Sequence, residues 1–202
     1  SSFIGSSGDA TGSENTPAVP IEPNESVPAT FAGEETDNTC EPSLDKWERH
    51  IIDTNKQDRS VFIYPADLDY DGLQDVVSGK WWYKNPAKPS LNWERHAIGS
   101  PLNNVAVVYD FDGDGHLDIL GTEGVGSSSN ANFVWARNNG SGIFTIYDNI
   151  DVAEGDFLQG IAVDDFVTGN VEIALSWHQA GRGIQVLDVP DNAIHNNWSW
   201  RR

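Results

Sequence analysis

The sequence predicts an all-β protein of about three repeats, each with four short antiparallel strands, preceded by an extended N-terminal tail without regular structure. Two observations predict this fold. An acidic turn recurs along the chain between short apolar runs, and the first 43 residues differ in composition from all that follow. No stretch carries apolar residues at the i, i+3, i+4, i+7 spacing of an amphipathic helix, so we expect little or no helix.

Residues 1–43 form the predicted tail. They contain no Lys or Arg, are rich in Ser, Thr, Gly and acidic residues, and hold four prolines within residues 17–28. Proline favours extended backbone and breaks helices. Because so polar a segment cannot bury enough apolar surface to offset its ordering entropy, we expect it to be disordered alone. We predict that it docks on other copies of the chain; the alternative is a flexible stalk.

Covalent features of the sequence point to an exported protein. Cys40 is the only cysteine, so it is either free or forms a disulfide with another chain. N-x-S/T sequons at Asn24, Asn139 and Asn197 are candidate glycosylation sites. The chain has no methionine and starts at Ser1, which we interpret as a processed or excised segment. Together these features predict an extracellular or cell-surface location.

Residues 44–202 contain an internal repeat. WERHIID at Trp47 returns as WERHAIG at Trp93, and acidic turns begin at Asp67, Asp110 and Asp164. Runs of about four to six β-branched or aromatic residues flank each turn, as expected for strands.

The repeat length is typical of one class of fold. A unit of about 40 to 55 residues with four strands is typical of a β-propeller blade. The predicted blades span about 46–92, 93–143 and 144–197, with the start of a further blade at 198–202. Since propellers close with about four to eight blades, we expect a partial propeller, completed by more chain or by other copies.

The first two acidic turns read DLDYDGLQD and DFDGDGHLD. Asp at positions 1, 3, 5 and 9 and Gly at position 6 can gather carboxylates and the position-7 carbonyl around a hard cation. Calcium takes six to eight such oxygen ligands. An EF-hand is excluded, because position 12 is Ser78 or Gly121 instead of Glu and the flanks are strands. The metal-free alternative is an acidic hairpin turn.

The third turn, DDFVTGNVE, departs from this pattern. Asp164, Gly169 and Glu172 keep their places, but Phe166 and Thr168 replace the two middle aspartates. With half of the carboxylates gone, we predict the same turn without a bound ion.

The D-x-D-x-D-G-x-x-D turns between strands, together with WARNNGSGIF, resemble FG-GAP/VCBS-type repeats over residues 46–202. The resemblance implies calcium-stapled β-propeller blades of the kind found in extracellular and surface proteins. Carried over by position, it implies two Ca²⁺ ions and these ligands: Asp67, Asp69, Asp71, Leu73 and Asp75, then Asp110, Asp112, Asp114, His116 and Asp118.

Candidates for catalysis are few. His178, in SWHQAGRG, has no counterpart in the other repeats, and with Arg182 nearby it could act as the general base of a polysaccharide lyase. His50 and His96 recur in the two WERH segments, which indicates packing. Tryptophans could stack on sugars, but core filling is the favoured interpretation; the ones considered are Trp81, Trp82, Trp135 and Trp177.

Charge excludes several functions. Acidic residues outnumber basic ones 31 to 12, giving a formal charge of −19, which disfavours binding to nucleic acids and anionic membranes. No apolar run reaches the roughly 18 residues that cross a bilayer. The sequence therefore predicts a non-catalytic, extracellular, calcium-binding structural or adhesion protein whose tail joins copies into an oligomer or fibre. Two alternatives stay open: a fragment of a carbohydrate-active lyase or sugar dehydratase, and a lectin-like glycan-binding module.

Overall fold

The computed structural model describes residues 49–88, 91–124, 132–167 and 169–201, within a compact unit that spans Arg49–Arg202. The predicted tail, with Asn24 and Cys40, lies outside the described residues. The described part of the chain contains no helix. It therefore contains no helix long and apolar enough to cross a membrane.

Twelve short strands make up the regular structure of the residues that the structure describes. In chain order they are β1 (Ile63–Ala66), β2 (Asp75–Ser78), β3 (Trp81–Lys84), β4 (Glu94–Ala97), β5 (Asn104–Tyr109), β6 (Asp118–Thr122), β7 (Phe133–Asn138), β8 (Phe144–Tyr147), β9 (Leu158–Asp164), β10 (Glu172–Trp177), β11 (Ile184–Asp188) and β12 (Ser199–Arg201).

The strands form three antiparallel four-stranded sheets, β1–β4, β5–β8 and β9–β12. Within each sheet the spatial order follows the chain order, so every connection is a hairpin between neighbours. The first strands lie side by side, with β5 contacting both β1 and β9. The prediction of an all-β chain with four-stranded antiparallel repeats is confirmed at the level of these sheets.

The sheet boundaries differ from the predicted repeat boundaries. Glu94–Ala97 pairs with β3, so the second WERH segment supplies the last strand of the first sheet instead of opening the second. Ser199–Arg201 likewise pairs with β11 and completes the third sheet instead of starting another. The physical reason is that a repeat period fixes the spacing of equivalent strands but not the strand at which a sheet begins.

Two apolar layers join the sheets. Side chains alternate across a strand, so adjacent residues of β6 face opposite layers. Ile119 packs with Val77 and Trp82 between the first and second sheets. Leu120 packs with Trp135 in the other layer, against the third sheet. Three of the four tryptophans considered as sugar platforms are buried, Trp82, Trp135 and Trp177, which supports their assignment to the core.

The segment before β1 lies over the outer face of the first sheet. Asp53 accepts hydrogen bonds from Tyr83 Oη (3.0 Å) and Arg95 Nη1 (2.9 Å). Asp58 accepts one from Trp81 Nε1 at 2.9 Å. These contacts hold the start of the described chain on β3 and β4.

Candidate cation-binding turns

The first acidic turn joins β1 to β2, and the second joins β5 to β6. Strands therefore flank both turns, in agreement with the exclusion of an EF-hand. The sixth position is glycine with left-handed backbone in each, with φ of +86° at Gly72 and +87° at Gly115. A Cβ would meet nothing within 4 Å at either glycine, so the backbone conformation is what requires glycine there.

The first aspartate of each turn closes the loop. Asp67 Oδ2 accepts a hydrogen bond from Gly72 N at 2.9 Å, and Asp110 Oδ2 accepts one from Gly115 N at 2.9 Å. Each carboxylate spans five residues and draws the turn around itself.

The ninth position carries a buried carboxyl group. Asp118 accepts hydrogen bonds from Phe111 N (3.1 Å) and Asn138 N (2.8 Å), one on each oxygen. Asp75 is equivalent, and it too accepts from two backbone N–H groups, those of Leu68 and Asn85. Burial raises the pKa of Asp75, and it raises the pKa of Asp118 to about 7 despite those hydrogen bonds.

Carboxylates converge in each turn. Asp67, Asp69 and Asp71 bring oxygens within 4.8 Å of one another, and so do Asp110, Asp112 and Asp118. Six of the eight predicted carboxylate ligands are thus brought together. Asp75 and Asp114 stand outside these triplets.

In the first and second sheets, a basic side chain from the third strand lies against the acidic cluster. Lys84, on β3, donates to Asp69 and Asp71, the latter at 2.6 Å. Arg137, on β7, donates to Asp112 and also to Asp114, at 2.6 Å. The hydrogen bond to Asp69 is the main reason that the pKa of Lys84 is raised. Neither residue was predicted from the sequence, although WWYKN and VWARN place them identically.

The donor set fits a hard divalent cation. All converging groups are carboxylate oxygens, the ligand type that calcium and magnesium prefer. Asp69 Oδ1 is buried and has no hydrogen-bond partner among the described residues. The ammonium of Lys84 and the guanidinium of Arg137 each contact one of the two carboxylate clusters and partly neutralise its charge. The predicted carbonyl ligands belong to Leu73 and His116, whose N–H groups donate to Asp71 and Asp114.

The third turn, between β9 and β10, has a different charge arrangement. Gly169 keeps the left-handed backbone, with φ of +82°, as expected for the same turn; Thr168 lies outside the described residues. Glu172 is fully buried and accepts hydrogen bonds from Phe166 N and Val167 N, both at 2.9 Å. Arg201, on β12, pairs with Glu172 and with Asp188.

His178, the candidate general base, lies on the surface. Its Nδ1 is 3.3 Å from Asp156 Oδ2, and its side chain is 67% exposed. Arg182 Nε donates to Gln179 Oε1 at 3.0 Å, beside the histidine. Such exposure leaves the imidazole in contact with water.

The two described sequons lie on exposed residues. Asn139 follows β7, and its Oδ1 accepts a hydrogen bond from Ser141 N at 3.0 Å. Asn197 Nδ2, where a glycan would be attached, donates to Asp151 Oδ1 at 2.6 Å. His96 stacks on Trp82 with ring centroids 4.4 Å apart, in line with the packing role predicted for it.

Comparison of this chain with protein-family models, with curated proteins and with solved structures gives no match. The fold and the turns define the described part of the chain as all-β, with three four-stranded sheets and two acidic clusters that could hold a cation.

Proposed function

We propose that this chain is a non-catalytic, extracellular structural or adhesion protein of FG-GAP/VCBS type. Its three sheets act as blades of a partial β-propeller, and its first two acidic turns each bind one Ca²⁺ ion. The tail joins copies of the chain, and glycans are further candidate partners.

The main support is the contrast among the three turns. Asp69 and Asp71 face a basic residue from β3, and Asp112 and Asp114 face one from β7. The equivalent position in the third sheet is Asp188, which pairs with β10 as the basic residues pair with β2 and β6. The loop acids and the facing base are thus replaced together. The third turn keeps its left-handed glycine without the acids at positions 3 and 5, so those two carboxylates serve some other purpose than making the turn.

The side-chain cations do not prevent ion binding. Partly exposed ion pairs like these contribute about 0–1 kcal/mol each, because the gain in Coulomb energy is offset by side-chain entropy and screening. Calcium modules of extracellular proteins bind with Kd of about 10⁻⁴–10⁻³ M, worth roughly 4–5.5 kcal/mol. A divalent ion that contacts three carboxylates therefore displaces Lys84 or Arg137 at small cost.

Calorimetric titration of the chelator-treated protein with CaCl₂ tests the proposal. We expect two bound ions per chain, one after Asp69→Asn or Asp112→Asn, and none in the double variant. Asp164→Asn, in the third turn, is the matched control and should leave both ions. Saturation should also raise the melting temperature, because only the folded chain offers the preformed sites. Absence of binding at 10 mM calcium, a concentration of about 10 Kd or more, would contradict the proposal.

A further inference from the structure

One side chain links the two cation-binding turns. Tyr70, the fourth residue of the first turn, reaches into the second turn. Its hydroxyl donates to Gly115 O at 2.6 Å and accepts from Leu117 N at 2.8 Å. Its ring also meets the imidazole of His116 edge-on, with centroids 5.1 Å apart. All three contacts surround the seventh position of the second turn.

These hydrogen bonds fix the orientation of a single peptide group. The His116–Leu117 peptide is planar, so its N–H and its C=O point in opposite directions. When Tyr70 Oη holds the Leu117 N–H, it also sets the direction of the His116 carbonyl. Asp114 Oδ1 accepts from His116 N at 2.9 Å and restrains the preceding peptide in the same way. The His116 carbonyl is the predicted position-7 ligand of the second turn.

The backbone of Tyr70 is unusual for its residue type. Its φ is +57°, in the left-handed region that a side chain with a Cβ rarely adopts. The equivalent residue of the second turn is Gly113, with φ of +71°, for which that region is open. A tyrosine is kept where the turn geometry favours glycine, and the two hydrogen bonds across the turns offset its unfavourable backbone.

We propose that Tyr70 is a positioning residue of the second cation site, and that through it the first turn supports the second. This inference rests on the proposed function, because it assigns the His116 carbonyl to a bound ion. An ion in the first turn restrains Asp69 and Asp71 on either side of Tyr70, so it also restrains the hydroxyl that orients the second site. At the equivalent position of the second turn, Gly113 has no side chain that could contact the third turn as Tyr70 contacts the second.

Tyr70→Phe removes the hydroxyl and keeps the ring. In an Asp69→Asn background, in which calcium binds only to the second turn, we expect this change to raise the Kd for CaCl₂ about three- to tenfold. That is the effect of losing one or two net hydrogen bonds. In an Asp112→Asn background, in which only the first turn binds, the Kd should stay within about twofold. Tyr109→Phe, at a tyrosine of similar exposure outside both turns (38% against 45%), is the matched control.

A measurement without metal separates this inference from the proposed function. In chelator, the Leu117 amide should exchange with solvent about three- to tenfold faster in Tyr70→Phe than in the wild type, because its acceptor is gone. Equal calcium affinity of the second turn with and without the hydroxyl overturns the positioning role. If the wild type binds no calcium, the proposed function and the ligand assignment both fail. If, in addition, Tyr70→Phe leaves the exchange rate of the Leu117 amide unchanged, the hydrogen bond between Leu117 N and Tyr70 Oη is refuted as well.

Discussion

The carboxyl group of Asp118, at the ninth position of the second acidic turn, has two roles. Asp118 accepts backbone N–H groups from its own turn and from the end of β7, which ties the turn to the sheet. It also belongs to the triplet that could contact a cation. Burial disfavours its charged form, so without an ion its pKa rises to about 7. A bound cation would offset that cost, because it favours the ionised carboxylate.

The raised pKa predicts an unusual pH dependence of stability. Between about pH 4 and pH 7 the folded chain keeps a proton on Asp118 that the unfolded chain releases, so the free energy of unfolding should fall as pH rises. We expect a loss on the order of 2 kcal/mol across this range in cation-free buffer. Denaturant unfolding followed by tryptophan fluorescence at several pH values measures it.

A variant and a ligand provide the controls for this pH dependence. Asp118→Asn should reduce the slope, leaving the contribution of Asp75, whose pKa burial also raises. Saturating calcium should reduce it too, because it favours the ionised form. Groups with lowered pKa, such as Asp53 and Asp58, give the opposite slope, but mainly below about pH 4. A stability that rises steadily from pH 4.5 to 7 in the absence of cations would contradict this account of Asp118.

At the scale of single elements, the turns could be predicted because their chemistry is local. Asp–Gly spacing within nine residues determines the left-handed glycine and the closing hydrogen bond of Asp67. The groups that complete each cluster come from elsewhere in the chain. Lys84, Arg137 and Tyr70 reach their partners only once strand register and sheet packing are set. A sequence pattern alone does not supply that register, so these three contacts were not predicted.

The β7–β8 turn is one of the elements of the second sheet that contact the first. Gly142 N donates to Leu68 O, within the first acidic turn, at 3.1 Å. A Cβ on Gly142 would lie 2.4 Å from Trp82 Cζ2, whereas a Cβ on Gly183 would meet nothing within 4 Å. Both glycines have a φ of +67°, so they are matched in this backbone angle and differ in the space around them.

Alanine at these two glycines should therefore have unequal effects. Gly183→Ala should cost about 1 kcal/mol of stability for the left-handed backbone. Gly142→Ala should cost that plus about 1–3 kcal/mol for overpacking against Trp82. Thermal or denaturant unfolding of both variants gives the difference directly. Equal losses would show that the second sheet yields at this contact and that the packing of Trp82 is not specific.

For the whole molecule, the repeat pattern established how many sheets there are but not where each begins. Two WERH segments of nearly identical sequence were placed at the start of repeats, yet the second one is the outer strand β4.

The negative charge of the chain is shared between the tail and the remaining residues. The tail holds eight of the 31 acidic residues and no basic one, so the remainder of the chain carries −11 of the formal −19. Copies of the chain therefore repel one another through the tail as well as through the sheets.

Deletion of residues 1–43 tests the assembly role proposed for the tail. The unit Arg49–Arg202 contains its own apolar layers, so we expect its melting temperature to change by less than about 2 °C. Mass measured by light scattering should fall from that of an oligomer to that of a single chain. Since the deletion also removes eight negative charges, electrostatics alone would make association stronger, and a loss of association must come from lost attractive contacts. Cys40→Ser in the full chain separates a disulfide from non-covalent docking, and an unchanged mass after the deletion would refute the role of the tail.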